Sequence, residues 1–173
     1  PVRSGGTLTG SRTADAQAAC GRAQTILPTV LGGTNFVLHG AGWMEGGLVS
    51  DYRKIILDAD QLTMMDRMVG GIDMSENGQA MDAIEEIGPG KHFLGSSHTQ
   101  RNFEDAFWRS EMADNTTFEQ WSADGAIESA KRAESRAIKM LAEYEIPAID
   151  PAVDEALIEF VAKRMEELPN AEY

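Results

Sequence analysis

Residues 36–47 read Phe36-Val37-Leu38-His39-Gly40-Ala41-Gly42-Trp43-Met44-Glu45-Gly46-Gly47. The first three are a short apolar run of the kind that makes a buried strand. The run stops abruptly in a histidine, an indole and a carboxylate on a backbone loosened by glycine. Loops after the carboxyl ends of parallel strands line the sites of α/β folds, so this loop is the first place to look for chemistry. Ser50-Asp51 then offers a helix start, and Tyr52, Ile55, Ile56, Ala59, Leu62, Met65 and Val69 recur at helical spacing. Strand, small-residue loop and amphipathic helix make one β/α unit.

The same pattern lies upstream. Ser4 to Ser11, SGGTLTGS, reads as a strand end entering a loop, and Thr13 to Asp15 caps a helix running to about Leu31. Its apolar side is expected to hold Ala16, Ala19, Cys20, Ala23, Ile26, Leu27 and Val30, with Pro28 late in it and Gly32-Gly33 as its stop. Downstream, Gly70-Gly71 ends the second helix. A shorter helix from Met74-Ser75 through Ile87 is closed by Gly88-Pro89-Gly90. Phe93-Leu94 reads as a third strand, ending in Gly95-Ser96-Ser97-His98-Thr99. This alternation argues for a parallel sheet.

Beyond Gln100 the chain changes character. Phe103, Phe107, Trp108, Phe118 and Trp121 are expected to pin a connecting region by burying large side chains. Helices follow over residues 125–144 and from Asp150-Pro151 onward, the last with Val153, Leu157, Phe160 and Val161 inward; Leu168-Pro169 and an acidic tail close the chain. Three β/α units do not close a barrel, which takes eight strands and roughly 250 residues. The expected fold is therefore α/β, the carboxyl-terminal portion of a (β/α)8 TIM barrel. About three units occupy residues 1–108, and an acidic, mostly helical extension occupies 109–173. A start at Pro1 rather than Met fits a piece of something longer.

Charge divides the chain the same way. Residues 1–72 balance six basic against six acidic side chains, while the rest carry the whole net charge of −13. An acidic half makes nucleic acid or an anionic membrane a poor partner, and suits a solvated helical surface or a basic protein. The single cysteine, Cys20, makes no internal disulfide, which suits a reducing cytoplasm; it reads as a small core residue. The three histidines lack zinc-ligand spacing, so no metal site is expected.

Taken together, SGGTLTGSRTADAQAA, FVLHGAGWMEGGLVSDYRKIILDADQL, IGPGKHFLGSSHTQRNF and FEQW resemble the carboxyl-terminal part of the trimethylamine methyltransferase family, over most of the chain. The resemblance implies a (β/α)8 barrel that moves a methyl group from an amine to the cobalt of a cobalamin-type corrinoid. That corrinoid is carried by a partner protein and not bound tightly here. It also implies a cytoplasmic protein of methylamine metabolism, related to methanogenesis enzymes, and a homo-oligomer. The founding trimethylamine enzymes carry pyrrolysine in a loop matching Gly5-Gly6 to Ser11, and this chain has no non-standard residue. Without that group, a quaternary donor such as glycine betaine is favoured, because a neutral amine leaves.

The residues expected at such a site follow. Trp43, with Gly40 and Gly42 beside it, is the candidate wall for a quaternary ammonium, which is held over aromatic faces. His39, Glu45 and His98 are the catalytic candidates. His39 reads equally as a strand-end histidine bonded to a neighbouring loop, Glu45 as a cap for the helix after it, and His98 as part of the next helix start. Gly5, Gly6, Gly95 and Ser96 are the positions expected to let the corrinoid ring approach, or else plain turn formers. Two further readings stand beside this one: a non-catalytic docking or oligomerisation module, and a barrel binding a phosphorylated ligand near Gly95-Ser96.

Overall fold

Two aspartates start the first two long helices for one physical reason. Each sits in extended backbone and turns its carboxylate onto amides of the first turn, which otherwise lack partners. Asp15 accepts from the Ala18 N–H and opens α1 (Ala16–Leu31); Asp51 accepts from the Arg53 and Lys54 N–H groups and opens α2 (Tyr52–Val69). Gly32 and Gly70 end them. The computed structural model describes residues 1–168.

Strand β1 (Arg3–Ser4) runs parallel to β2 (Phe36–Val37), Arg3 opposite Phe36 and Ser4 opposite Val37, with α1 as the crossover. Between β2 and α2 the chain folds a small hairpin, β3 (Trp43–Met44) antiparallel to β4 (Val49–Ser50), joined through a 3-10 turn at Glu45–Gly47. The carboxyl ends of β1 and β2 thus feed two adjacent loops, residues 5–11 and 38–50.

Helices α1 and α2 pack together, with Ile26 buried as expected but otherwise on faces the apolar pattern does not mark. The buried residues of α1 are Ala18 and Ile26, with Arg22 between them; those of α2 are Lys54 and Asp58. Tyr52, at 64% exposure, Ala59 and Cys20 all face outward, contrary to expectation. The reason is that Lys54 and Arg22 both donate to Asp58, so the buried stripe follows the i, i+4 spacing of the charges and rotates the expected residues out.

The third expected unit is not built. The helix expected over 74–87 divides into α3 (Glu76–Gln79) and α4 (Met81–Ile87), broken where Ala80 takes a left-handed backbone, φ 51. Phe93 and Leu94 are exposed and form no strand. Instead the Ser96 N–H donates to the Phe93 carbonyl at 3.0 Å, and Ser96 caps α5 (Ser97–Asn102). Two apolar residues between a Gly-Pro-Gly break and a helix cap are drawn into a turn before they can pair. The described residues therefore contain two β/α units rather than three.

Residues 109–139 belong to the first unit. Asp60 of α2 accepts from Ser110 Oγ at 2.5 Å and the Glu111 N–H at 2.9 Å. After α6 (Phe118–Ala123) comes α7 (Ser129–Ala142), whose Arg132 donates twice to the Met112 carbonyl, at 2.8 and 3.2 Å. Pro1–Lys139 is one compact unit, so the boundary expected after residue 108 falls inside it. Of the five aromatics, the indoles Trp108 and Trp121 are half-buried, while Phe103, Phe107 and Phe118 are exposed.

The second unit begins at Met140. Its helix α8 (Pro151–Glu167) is capped by Asp150, which accepts from the Ala152 N–H, and proline sits in its first turn. Val153, Leu157, Phe160 and Val161 are exposed rather than inward, because the described part of this unit holds no other helix of comparable length to cover them. The tail from residue 169 lies outside the described residues. No helix among the described residues is long and apolar enough to cross a membrane.

Candidate active site at the strand ends

The loops after β1 and β2 are laced together by backbone hydrogen bonds. The Thr7 N–H donates to the His39 carbonyl at 2.8 Å, Glu45 N–H to Ser11 at 3.0 Å, and Gly46 N–H to Thr9 at 3.0 Å. Gly6 makes the first of these possible. A Cβ there would lie 2.6 Å from the His39 oxygen and 2.6 Å from Val37 Cγ1. Gly42 has φ +85, and a Cβ on it would lie 2.3 Å from Ile55 Cγ1. Both glycines let backbone approach backbone or helix.

On this frame His39 and Trp43 come together. Their rings meet edge-to-face, centroids 5.5 Å apart and planes at 85°, and both side chains are half-buried. Such a contact presents the positive edge of one ring to the negative face of the other and fixes both orientations. Glu45 lies two residues on, in left-handed backbone with φ 50. It does not cap α2; Asp51 does. Glu45 faces the Arg12 guanidinium at 3.6 Å, an exposed pair of little strength.

Beneath the loops lies an ionic cluster that the apolar pattern of the sequence hides. Asp58 Oδ2 accepts from Thr7 Oγ1 at 2.9 Å, the Gly42 N–H at 2.8 Å and Lys54 Nζ at 2.5 Å; Oδ1 accepts from Arg22 Nη1 at 2.9 Å. Lys54 Nζ also donates to the Thr7 carbonyl at 2.8 Å. Side-chain exposure is 0% for Asp58 and 1% for Lys54. The signal for it was Lys and Asp at i, i+4 within a helix otherwise rich in Ile and Leu.

Nearer the surface, Asp51 is held below the ordinary carboxylate range, first by its bidentate hydrogen bonds with the Arg53 guanidinium, then by first-turn amides acting against partial burial. Asp15 is lowered chiefly by the Ala18 N–H and then by the Ser11 hydroxyl.

Not every expected residue joins the site. His98 Nε2 donates to the Asn77 carbonyl at 2.7 Å, and it lines a separate cavity of about 520 Å³ with Glu76, Asp82 and Arg101. None of the strand-end residues lines that cavity. A second cavity, about 800 Å³, opens between Asp60 and Gln61 of α2 and Trp108, Trp121 and Arg132; it too lacks every expected site residue. Of the positions expected to face a corrinoid, Gly6 is filled by the chain itself, and the Ser96 hydroxyl is buried in its own cap with Thr99. Gly5 and Gly95 remain open, Gly95 with nothing within 4 Å of a Cβ. Gly40 has room, its nearest neighbour being Leu62 Cδ1 at 3.8 Å. Among the described residues no group of three or more His, Cys, Asp or Glu side chains is arranged to hold a metal ion.

Two laced loops at the ends of parallel strands carry an aromatic pair and a carboxylate, and these make the candidate site. The family is given by comparison: a family model described as trimethylamine methyltransferase matches residues 1–169, and the chain belongs to that family. It is similar to a glycine betaine methyltransferase of Desulfitobacterium hafniense (strain Y51), 38% identical over 97% of this chain and 35% of the relative. A trimethylamine methyltransferase of Desulfitobacterium hafniense (strain DSM 10664 / DCB-2) is 32% identical over 78% of this chain and 27% of the relative. One from Methanosarcina mazei is 28% identical over 84% and 29%. The chain thus spans about a third of the length of the relatives it matches.

Proposed function

We propose that this chain is the carboxyl-terminal part of a (β/α)8 barrel enzyme that transfers a methyl group from a methylated amine to the corrinoid of a partner protein, with a quaternary ammonium such as a betaine favoured over trimethylamine. The observation that carries the reading is the His39–Trp43 pair at the end of β2, an oriented indole in a ligand-facing loop. Names of the relatives support a methylated amine as donor, and the identity to the glycine betaine enzyme supports the quaternary choice.

The chemistry asked of this chain is modest. A quaternary nitrogen already carries the positive charge that makes a methyl group transferable, and a neutral tertiary amine departs with the bonding pair. No proton has to move. The chain must hold a cation and aim one methyl outward, which is positioning rather than acid–base work. Trp43 holds the cation over its face, worth on the order of 0.5–2 kcal/mol. His39 fixes the indole plane, and Glu45, tied only loosely to Arg12, supplies a compensating field. The corrinoid enters as the cosubstrate that accepts the methyl group, delivered by its own protein.

Mixing the full-length protein with a partner corrinoid protein reduced to Co(I) and adding glycine betaine should change the visible spectrum of the corrinoid. No change with betaine or any methylamine overturns the proposal. A second reading, a docking or self-association role, is favoured by the exposed apolar residues of α8. Light scattering that finds only monomers, and a pull-down that recovers no corrinoid protein, would remove it.

A further inference from the structure

We propose that Asp58 is a positioning residue whose one carboxylate sets both strand-end loops, and through them the His39–Trp43 pair; this rests on the reading of the strand ends as the methyl-donor site. Two covalent or hydrogen-bonded steps lead from the carboxylate to each ring. The Gly42 N–H that Oδ2 accepts belongs to the residue before Trp43. Thr7, held by Oδ2 through its hydroxyl and by Lys54 through its carbonyl, donates its own N–H to the His39 carbonyl. Arg22 on Oδ1 ties α1 to the same point.

The ionic form matters because burial alone does not call for it. Removing two charges from water carries a penalty that a hydrophobic pair of similar volume avoids, so a buried Lys–Asp pair is weak evidence for stability. What the carboxylate supplies and a hydrophobic pair lacks is direction: three donors from two loops and one helix converge on Oδ2. With Oδ2 so occupied and Oδ1 on Arg22, Asp58 moves no proton itself and acts only through Gly42 and Thr7. In-line methyl transfer is sensitive to such aim, and a displacement of about 1 Å can slow a reaction about a hundredfold.

The test uses the full-length protein. Lys54→Met with Asp58→Leu fills the volume without the pins, and Asp58→Asn keeps shape but loses charge. Both should lower kcat for methyl transfer from betaine by at least about tenfold while KM changes less than about threefold. Asp60→Asn, on the same helix but bonded to Ser110 and Glu111, is the control and should leave kcat within about twofold. In the unaltered protein the Gly42 amide should exchange hydrogen only as slowly as the global core, and in the double variant at least about tenfold faster at unchanged melting temperature. Gly42 exchange that is fast in the unaltered protein overturns the proposal even if no variant folds. So does a folded double variant with exchange and kcat within about twofold of the parent. If the parent transfers no methyl group at all, the functional reading fails, and the exchange comparison alone decides whether Asp58 pins the loops.

Discussion

The edge of one ring of the His39–Trp43 pair meets the face of the other at 5.5 Å and 85°, so the indole plane is set by a neighbour four residues back in the same loop. Replacing Trp43 by leucine in the full-length enzyme removes the π-face and should weaken binding of a quaternary donor by roughly 2- to 30-fold, the span of one cation–π contact. Phenylalanine should recover part of it. Equal apparent affinities for tryptophan, phenylalanine and leucine at this position, measured as donor KM, would show that the ring does not touch the cation.

The two glycines that were expected at the ligand and are instead packed give a contrast. Gly6→Ala places a methyl 2.6 Å from the His39 carbonyl, and Gly42→Ala adds a left-handed backbone to a clash with Ile55. Each should lower stability by about 1–3 kcal/mol in chemical denaturation. Gly95→Ala meets open space and should be neutral to folding. A Gly6→Ala protein as stable as its parent would mean that the two loops do not approach as described.

The caps make stability depend on acid. Asp15 and Asp51 have folded values lowered from the unfolded value of about 3.9, so their contribution is fully present above that value and is lost as pH falls through the folded values. Asp51→Asn keeps a capping side chain but loses the Arg53 ion pair. It should melt lower than the parent at neutral pH and lose less on going from about pH 5 to 3. Asp51→Ala should lose about 1 kcal/mol at pH 7. Parallel melting-versus-pH curves for parent and Asp51→Asn would count against the cap as the acid-sensitive group.

Residues 109–139 are predicted to hold to the rest of the first unit through few bonds. Ser110→Ala removes a donor to Asp60, and Arg132→Met removes both bonds to the Met112 carbonyl. Limited proteolysis should then cut first between residues 109 and 128, faster than in the parent. Unchanged cleavage rates would show that other contacts fasten this segment.

What the sequence reveals divides by mechanism. Helices α1 and α2 were legible because caps, periodicity and terminal glycines agree; β2 was legible as a strand because an apolar run stops sharply at His39-Gly40, but Phe36 and Leu38 are exposed rather than buried. Of the buried faces only Ile26 was legible, since apolar counting cannot anticipate that Lys54 and Arg22 will both donate to Asp58 inside. Phe93-Leu94 misled for a related reason: strand propensity says nothing about whether a partner edge is available, whereas the Ser96 cap is satisfied locally. Grouping His98 with His39 followed from counting strand ends, and the strand expected before His98 is not formed.

Glu45, Gly46 and Gly47 have φ 50, 67 and 99, three consecutive residues turning in the left-handed sense at the hairpin tip. Alternate residues of a strand point to opposite sides, so one residue inserted into or deleted from that tip would slide β3 against β4 and exchange the buried Met44 with the half-buried Trp43. The length of this one tight corner is therefore a switch between a flexible thioether and a rigid indole at the same outlet, set without touching the helices below.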